Sequence, residues 1–191
     1  MAIDTQEIRD TFLSHFDHGG DFTVDPDTGV VSCTGRVFLT LDVPELPVAL
    51  GRVGGDLDIS VCDLASLRGC PTTVGRDFDC QRNRLKSLEG GPQRVSGNYV
   101  ARDNHLASLK GTPRWVGGTF YLSVYADMPL LDLLLMEKCG KLWLTRPGKP
   151  NDVLDDLQEL ITRYIGSGYD GMVPCAARMH KLGHGSNARM G

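Results

Sequence analysis

Cys175, His180 and His184 are spaced C-x4-H-x3-H near the end of the sequence, and thiol and imidazole groups so close are candidate zinc ligands. Gly183 and Gly185 break any helix that would carry both histidines. No fourth ligand is near in sequence, so neither a metal site nor a cofactor is expected. Cys33, Cys62, Cys70, Cys80 and Cys139 show no C-x-x-C pairing and read as buried structural thiols. Asp56/Asp58 and Asp77/Asp79 are i, i+2 carboxylate pairs that suit calcium, but the D-x-D-x-D-G loop is missing, and such acids on an exposed strand face solvent or a partner. The glycine-rich VGG and GGP phrases lack the GK[ST] of a phosphate cradle and read as turns. No catalytic residue emerges, and the chain is expected not to be an enzyme.

Those glycines recur at a fixed interval. VGGDLDISVCDLASLRGCPTT (53–73), VGRDFDCQRNRLKSLEGGPQR (74–94) and VSGNYVARDNHLASLKGTPRW (95–115) are consecutive units of 21 residues with leucine, serine, glycine and proline in register. VGGTFYLSVYADMPLL (116–131) begins a fourth unit and then drifts. GRVFLTLDVPELPVALGR (35–52) is an earlier one, and GKLWLTR (140–146) starts another strand. A unit this short cannot bury its own apolar side and must stack on copies of itself, which predicts a solenoid. The L-x-x-L spacing, a pair of alternating apolar residues, and an Asn or Cys three positions after the second of them (Cys62, Asn83, Asn104) mark a leucine-rich repeat. The asparagine is expected to satisfy backbone groups that the turn leaves open.

Composition supports a folded chain: among 191 residues, 41% are hydrophobic and 23% charged. A net charge of −4, with no basic cluster, argues against nucleic acid as partner. No apolar run approaches a membrane span, and the polar start MAIDTQEIRDTFLSHF does not read as a signal peptide, so a cytoplasmic location with reduced thiols is expected. Asp4 to Glu7 form a capping box flanked by Ile3 and Ile8, predicting a helix over about 5–17. DVLDDLQELITRYI predicts a second helix ending at Gly166, and residues 172–182 a third.

LKSLEGGPQRV, VGGDLDIS and VGRDFDCQRN resemble the repeats of leucine-rich-repeat proteins of tailed bacteriophages. The likeness extends to DFTVDPDTGVVSCTGRVFL, similar to their opening strand pair, and to GSGYDGMVPCAARMHKLGHGSNARM, similar to their small terminal helix. It implies an α/β repeat fold with a parallel sheet of about five or six short strands. Residues 1–34 would be an N-terminal helix and strand cap, 35–146 the solenoid and 147–191 a C-terminal helical cap. It also implies a protein-binding role, though no particular partner; a bacterial host protein met in the host cytoplasm is the expected one. A structural or assembly protein that self-associates or binds virion parts is the alternative.

Stacked strands bring equivalent side chains into columns. The first outward column is expected to read Phe38, Asp58, Asp79, Val100, Tyr121 and Trp143. Beside it would lie Thr40, Ser60, Gln81, Arg102, Ser123 and Thr145, and then a column that contains Arg82. Asp58, Asp79, Arg82, Val100, Arg102, Tyr121 and Trp143 are therefore the candidate partner-binding residues, because they vary where the scaffold repeats and include types common at interfaces.

Overall fold

In the computed structural model, which describes residues 3–191, the N-cap half of the expected capping box forms. The Asp4 carboxylate accepts the backbone N–H groups of Gln6 and Glu7 at 3.0 and 3.1 Å, satisfying donors that a helix start leaves open. Helix α1 (Thr5–His15) buries Phe12 and stops before residue 17, because Phe16 turns extended and joins a sheet.

The strands follow in chain order as β1 (Phe16–His18), β2 (Phe22–Val24), β3 (Val31–Cys33), β4 (Val37–Leu39), β5 (Leu50–Val53) and β6 (Leu57–Asp58). The repeats add β7 (Thr73–Val74), β8 (Phe78–Asp79), β9 (Arg94–Val95), β10 (Tyr99–Val100) and the longer β11 (Trp115–Ser123). Then come β12 (Lys138–Arg146), β13 (Lys149–Val153), α2 (Asp155–Tyr164) and α3 (Tyr169–Lys181).

Each coil contributes two short strands, so the chain winds into two parallel sheets. The expected sheet is β4-β6-β8-β10-β11-β12, flanked by antiparallel β1. The second, β3-β5-β7-β9-β11-β12, is flanked by antiparallel β2. The two meet in β11 and β12, which run through the corner with an irregularity between Val116 and Thr119. The chain is thus a β-solenoid of about five turns with a few helices. Among the described residues the three α-helices lie outside the 53–115 repeats.

The inner faces fill one core. Leu57, Phe78, Tyr99, Phe120 and Leu142 form a column from the first sheet, faced by Val53, Val74, Val95 and Val116 from the second. Leu64, Leu85 and Leu106, with Leu67, Leu88 and Leu109, close the third side of each coil. Burying a leucine side chain fully is worth about 2 kcal/mol, and one coil alone has nothing to bury it against. Phe78, Tyr99 and Phe120 meet edge to face, with ring centres 4.8 and 5.1 Å apart.

Tyr99 is the polar exception in that column: it is fully buried and its hydroxyl has no hydrogen-bond partner among the described residues. Tyr99→Phe removes an unpaired buried group and keeps the ring, so it is expected to stabilise the chain by about 1–2 kcal/mol. Equilibrium urea unfolding checks this, and a loss of stability would show that the hydroxyl is satisfied.

The ends of the stack differ from expectation in detail. β2 and β3 form the anticipated opening strand pair, closed by an Asp25 side chain that accepts from Asp27 and Thr28. After Asp127 the leucine-rich phrase winds into a 3-10 turn, Leu130–Leu135, that buries Leu130, Leu131, Leu133 and Leu134. Val153 and Leu154 precede α2 instead of opening it, because residues 149–153 pair with β12. α3 begins at Tyr169, three residues before the expected start, and buries Cys175 and Met179.

Candidate functional site

Three polar ladders fix the coils and so decide which side chains remain free. In the first, Asn83 Oδ1 accepts the N–H groups of Cys62 and Leu64 at 3.1 and 2.9 Å. Its Nδ2 donates to the carbonyls of Ile59 and Cys80 at 2.8 and 3.1 Å. Asn104 repeats the pattern one coil on, accepting from Leu85 N–H and donating to Cys80 and Ala101. At the same position Cys62 donates its thiol to the carbonyls of Leu39 and Ser60, and the Tyr125 hydroxyl donates to that of Asn104. Asn187 completes the series from the tail: its Nδ2 donates to the carbonyls of Tyr125 and Met128, both at 3.0 Å. The terminal N-A-R phrase therefore clips the last coil in place, with Arg189 donating to the Asp127 carbonyl.

The second ladder lies at the corner between the two sheets. Asp56 accepts from Asp77 N–H at 3.1 Å, Asp77 from Asn98 N–H at 2.7 Å, and Asn98 Oδ1 from Thr119 N–H at 2.8 Å. Asp56 and Asp77, half of each expected carboxylate pair, are thus committed to the backbone of the next coil. In the third, Ser66, Ser87 and Ser108 accept from the N–H two residues on, which turns the chain after each leucine pair.

The expected column forms. Phe38, Asp58, Asp79, Val100, Tyr121 and Trp143 pair in register across β4, β6, β8, β10, β11 and β12 and are half-buried. Tyr121 and Trp143 have ring centres 6.4 Å apart. Arg102 lies 5.3 Å from the Tyr121 ring and Lys141 4.5 Å from Trp143. Arg102 also donates to Gln81 Oε1 at 3.4 Å, so Asp79, Gln81, Arg102, Tyr121 and Trp143 form one continuous chain of contacts. Arg82 is exposed beside it, on a backbone held in the left-handed region at φ 53°.

In the neighbouring column the structure corrects the expectation. Ser123 and Thr145 are buried, because β11 and β12 run on past the point where the shorter strands end. Ser123 Oγ instead accepts from Asp103 N–H at 3.1 Å, and the Asp103 carboxylate accepts from Gly148 N–H at 2.9 Å. Asp103 thereby ties the β12–β13 turn to the repeats.

Asp58 and Asp79 each accept the N–H two residues on, from Ser60 and Gln81, both at 2.9 Å. One oxygen of each is therefore part of the turn. Burial pushes the Asp79 carboxyl up to about 6; the Asp58 charge adds to this, while the Gln81 hydrogen bonds and Arg102 oppose it. A carboxyl raised above its ordinary 3.8 binds an extra proton in the folded state between those values, so its contribution to stability falls as pH rises from about 4 to about 6. Asp79→Asn keeps the turn acceptor and removes the charge. It is expected to stabilise the chain by about 1 kcal/mol near pH 7.5, discounted for partial exposure, and to change little near pH 4.5. Urea unfolding of both chains at the two pH values checks this; an equal effect at both would contradict it.

The sulfur and imidazole groups are dispersed. Cys175 is buried on α3, His180 is exposed on the same helix, and His184 follows the left-handed Gly183. Among the described residues no three His, Cys, Asp or Glu side chains gather as metal ligands. Burial raises the thiols of Cys62 and Cys139 to about 11 and also lifts those of Cys70, Cys80 and Cys175, which keeps all five protonated near neutral pH. No helix among the described residues is long and apolar enough to cross a membrane.

The class that this geometry defines is a parallel β-solenoid with one mixed acidic and aromatic face. Comparison with protein-family models, curated proteins and solved structures gives no match for this chain.

Proposed function

We propose that this chain is a non-enzymatic leucine-rich-repeat module, phage-encoded, that binds a bacterial host protein through the outer face of the first sheet. The observation that carries this reading is the column itself. In a scaffold whose repeat asparagines, serines and leucines are engaged in holding the coils, Asp58, Asp79, Val100, Arg102, Tyr121 and Trp143 vary from coil to coil and share one outer face. Tyrosine, tryptophan and arginine dominate interface energetics, and here each stands beside the next on neighbouring strands, which reduces the entropy lost on binding. The L-x-x-L spacing and the asparagine ladder support the leucine-rich assignment, and the SLEGGP phrase and N-A-R tail the phage assignment. The five thiols that desolvation keeps protonated favour binding over nucleophilic chemistry.

The assembly alternative is weaker at the sheet edges, because short β1 and β2 flank one end of the stack and β13 and α2 the other. Capture from bacterial lysate with the wild-type chain, Tyr121→Ala and Trp143→Ala tests the reading. A host protein held by the wild type and lost by both variants is expected. Undiminished retention by both would remove this face from the account.

A further inference from the structure

The second sheet has an outward column of its own with the opposite charge. Across β5, β7, β9, β11 and β12, Arg52, Thr73, Arg94, Trp115 and Lys138 pair in register. Ser32 and Thr23 continue the row toward the N-terminal end. No acid stands in this column, whereas the first sheet's column carries Asp17, Asp58 and Asp79. Arg52, Arg94 and Lys138 are exposed and form no ion pair among the described residues, unlike nearby Arg76 and Arg114, which reach Asp56 and Glu137. The Arg94 guanidinium stands 4.0 Å from the Trp115 ring centre and Lys138 Nζ 5.7 Å from it, each from a neighbouring strand. The tryptophan thus steadies two cations and fixes their separation.

The geometry points to this column as a docking surface for an extended acidic peptide. The three free cations sit on every second strand, so their rungs are about 9.6 Å apart. A polyproline II segment brings the same edge round every third residue, a repeat of about 9.3 Å. Carboxylates at every third position of such a segment would meet Arg52, Arg94 and Lys138 in turn. Two other occupants fit less well. Single-stranded nucleic acid would need an open aromatic face for base stacking, and here cations stand against the single indole. A second copy would offer Asp58 and Asp79 on adjacent strands, about 4.8 Å apart, out of step with the cations.

Fluorescence anisotropy with a labelled peptide of repeated Glu-Pro-Pro units tests the proposal. The controls are Gln-Pro-Pro repeats, a peptide of the same composition with its glutamates clustered, and an oligothymidylate of matched charge. The wild-type chain is expected to prefer the regularly spaced acidic peptide. The paired Arg94→Glu and Lys138→Glu variant should weaken that binding by about tenfold or more, and the corresponding Gln variant by less. Thermal unfolding confirms that each variant is folded, and light scattering monitors self-association. Absent binding, equal binding of the clustered or neutral peptide, preference for the oligonucleotide, self-association that the charge reversal abolishes, or unchanged affinity in the variant would each overturn the proposal. Because the first sheet is untouched, failure here leaves the reading of that face unaffected.

Discussion

Asn83→Ala is expected to cost about 4 kcal/mol of unfolding free energy, the largest effect of any single side chain in the ladder. The buried N–H groups of Cys62 and Leu64 lose their acceptor, and the carbonyl of Ile59 loses its donor. Each buried donor left open costs about 1–3 kcal/mol, and the lesion lies between two coils, so it weakens both. Cys62→Ala at the equivalent position removes only two weak thiol hydrogen bonds and a small apolar group, and should cost about 1 kcal/mol. Equilibrium urea unfolding of the two variants makes the comparison. If Asn83→Ala costs no more than Cys62→Ala, the ladder does not hold the coils.

The second large effect is a gradient along one column of glycines. Gly69, Gly90 and Gly111 all adopt positive φ, at 92°, 85° and 84°, so an alanine at any of them pays about 1–2 kcal/mol for left-handed backbone. Their surroundings then separate them. A Cβ at Gly69 would meet its nearest atoms at 3.5 Å, an ordinary contact, whereas at Gly90 it would meet the Arg68 and Leu67 backbone at 3.0 Å. At Gly111 it would lie 2.3 Å from the Leu88 carbonyl oxygen and 2.4 Å from Glu89 N, and backbone held by the ladders cannot retreat. Adding a packing cost of about 1–3 kcal/mol where the clash is with backbone, the expected losses rise from about 1 at Gly69→Ala to about 4 kcal/mol at Gly111→Ala. Melting temperatures of the three variants give the order. Equal losses would mean that φ alone matters and that the coils are free to move apart.

Much of this architecture was legible because a repeat states its own register. Once Leu64, Leu85 and Leu106 are aligned, Asp58, Asp79, Val100 and Tyr121 must share a column, and they do. The second sheet was hidden for a physical reason: each of its repeat strands, such as Thr73–Val74, turns a single residue inward, without the alternating buried pair that Phe78 and Cys80 give the first sheet. The valine that opens each unit is the inward half of such a strand, and the residue before it the outward half. Arg52, Arg94 and Trp115 were therefore on view as unit boundaries without being seen as a face. The roles of Asp56 and Asp77 were equally concealed, since acids two apart on an exposed strand look alike until the corner turns one of them onto the next coil. Asn187 could have been found by asking what stands in for the asparagine missing after Tyr125. The burial of Ser123 and Thr145 had no sequence signal, because it depends on β11 and β12 outrunning the strands beside them.

Hydroxyl-radical footprinting of the captured complex tests the proposal that the first sheet's outer face meets the partner. Tyr121 and Trp143 lie in that face, Trp115 in the other sheet, and Tyr169 is exposed at the start of α3. Tyr121 and Trp143 are expected to lose reactivity when the partner binds while Trp115 and Tyr169 keep theirs. Protection of Trp115 or Tyr169 with Tyr121 and Trp143 unchanged would contradict it.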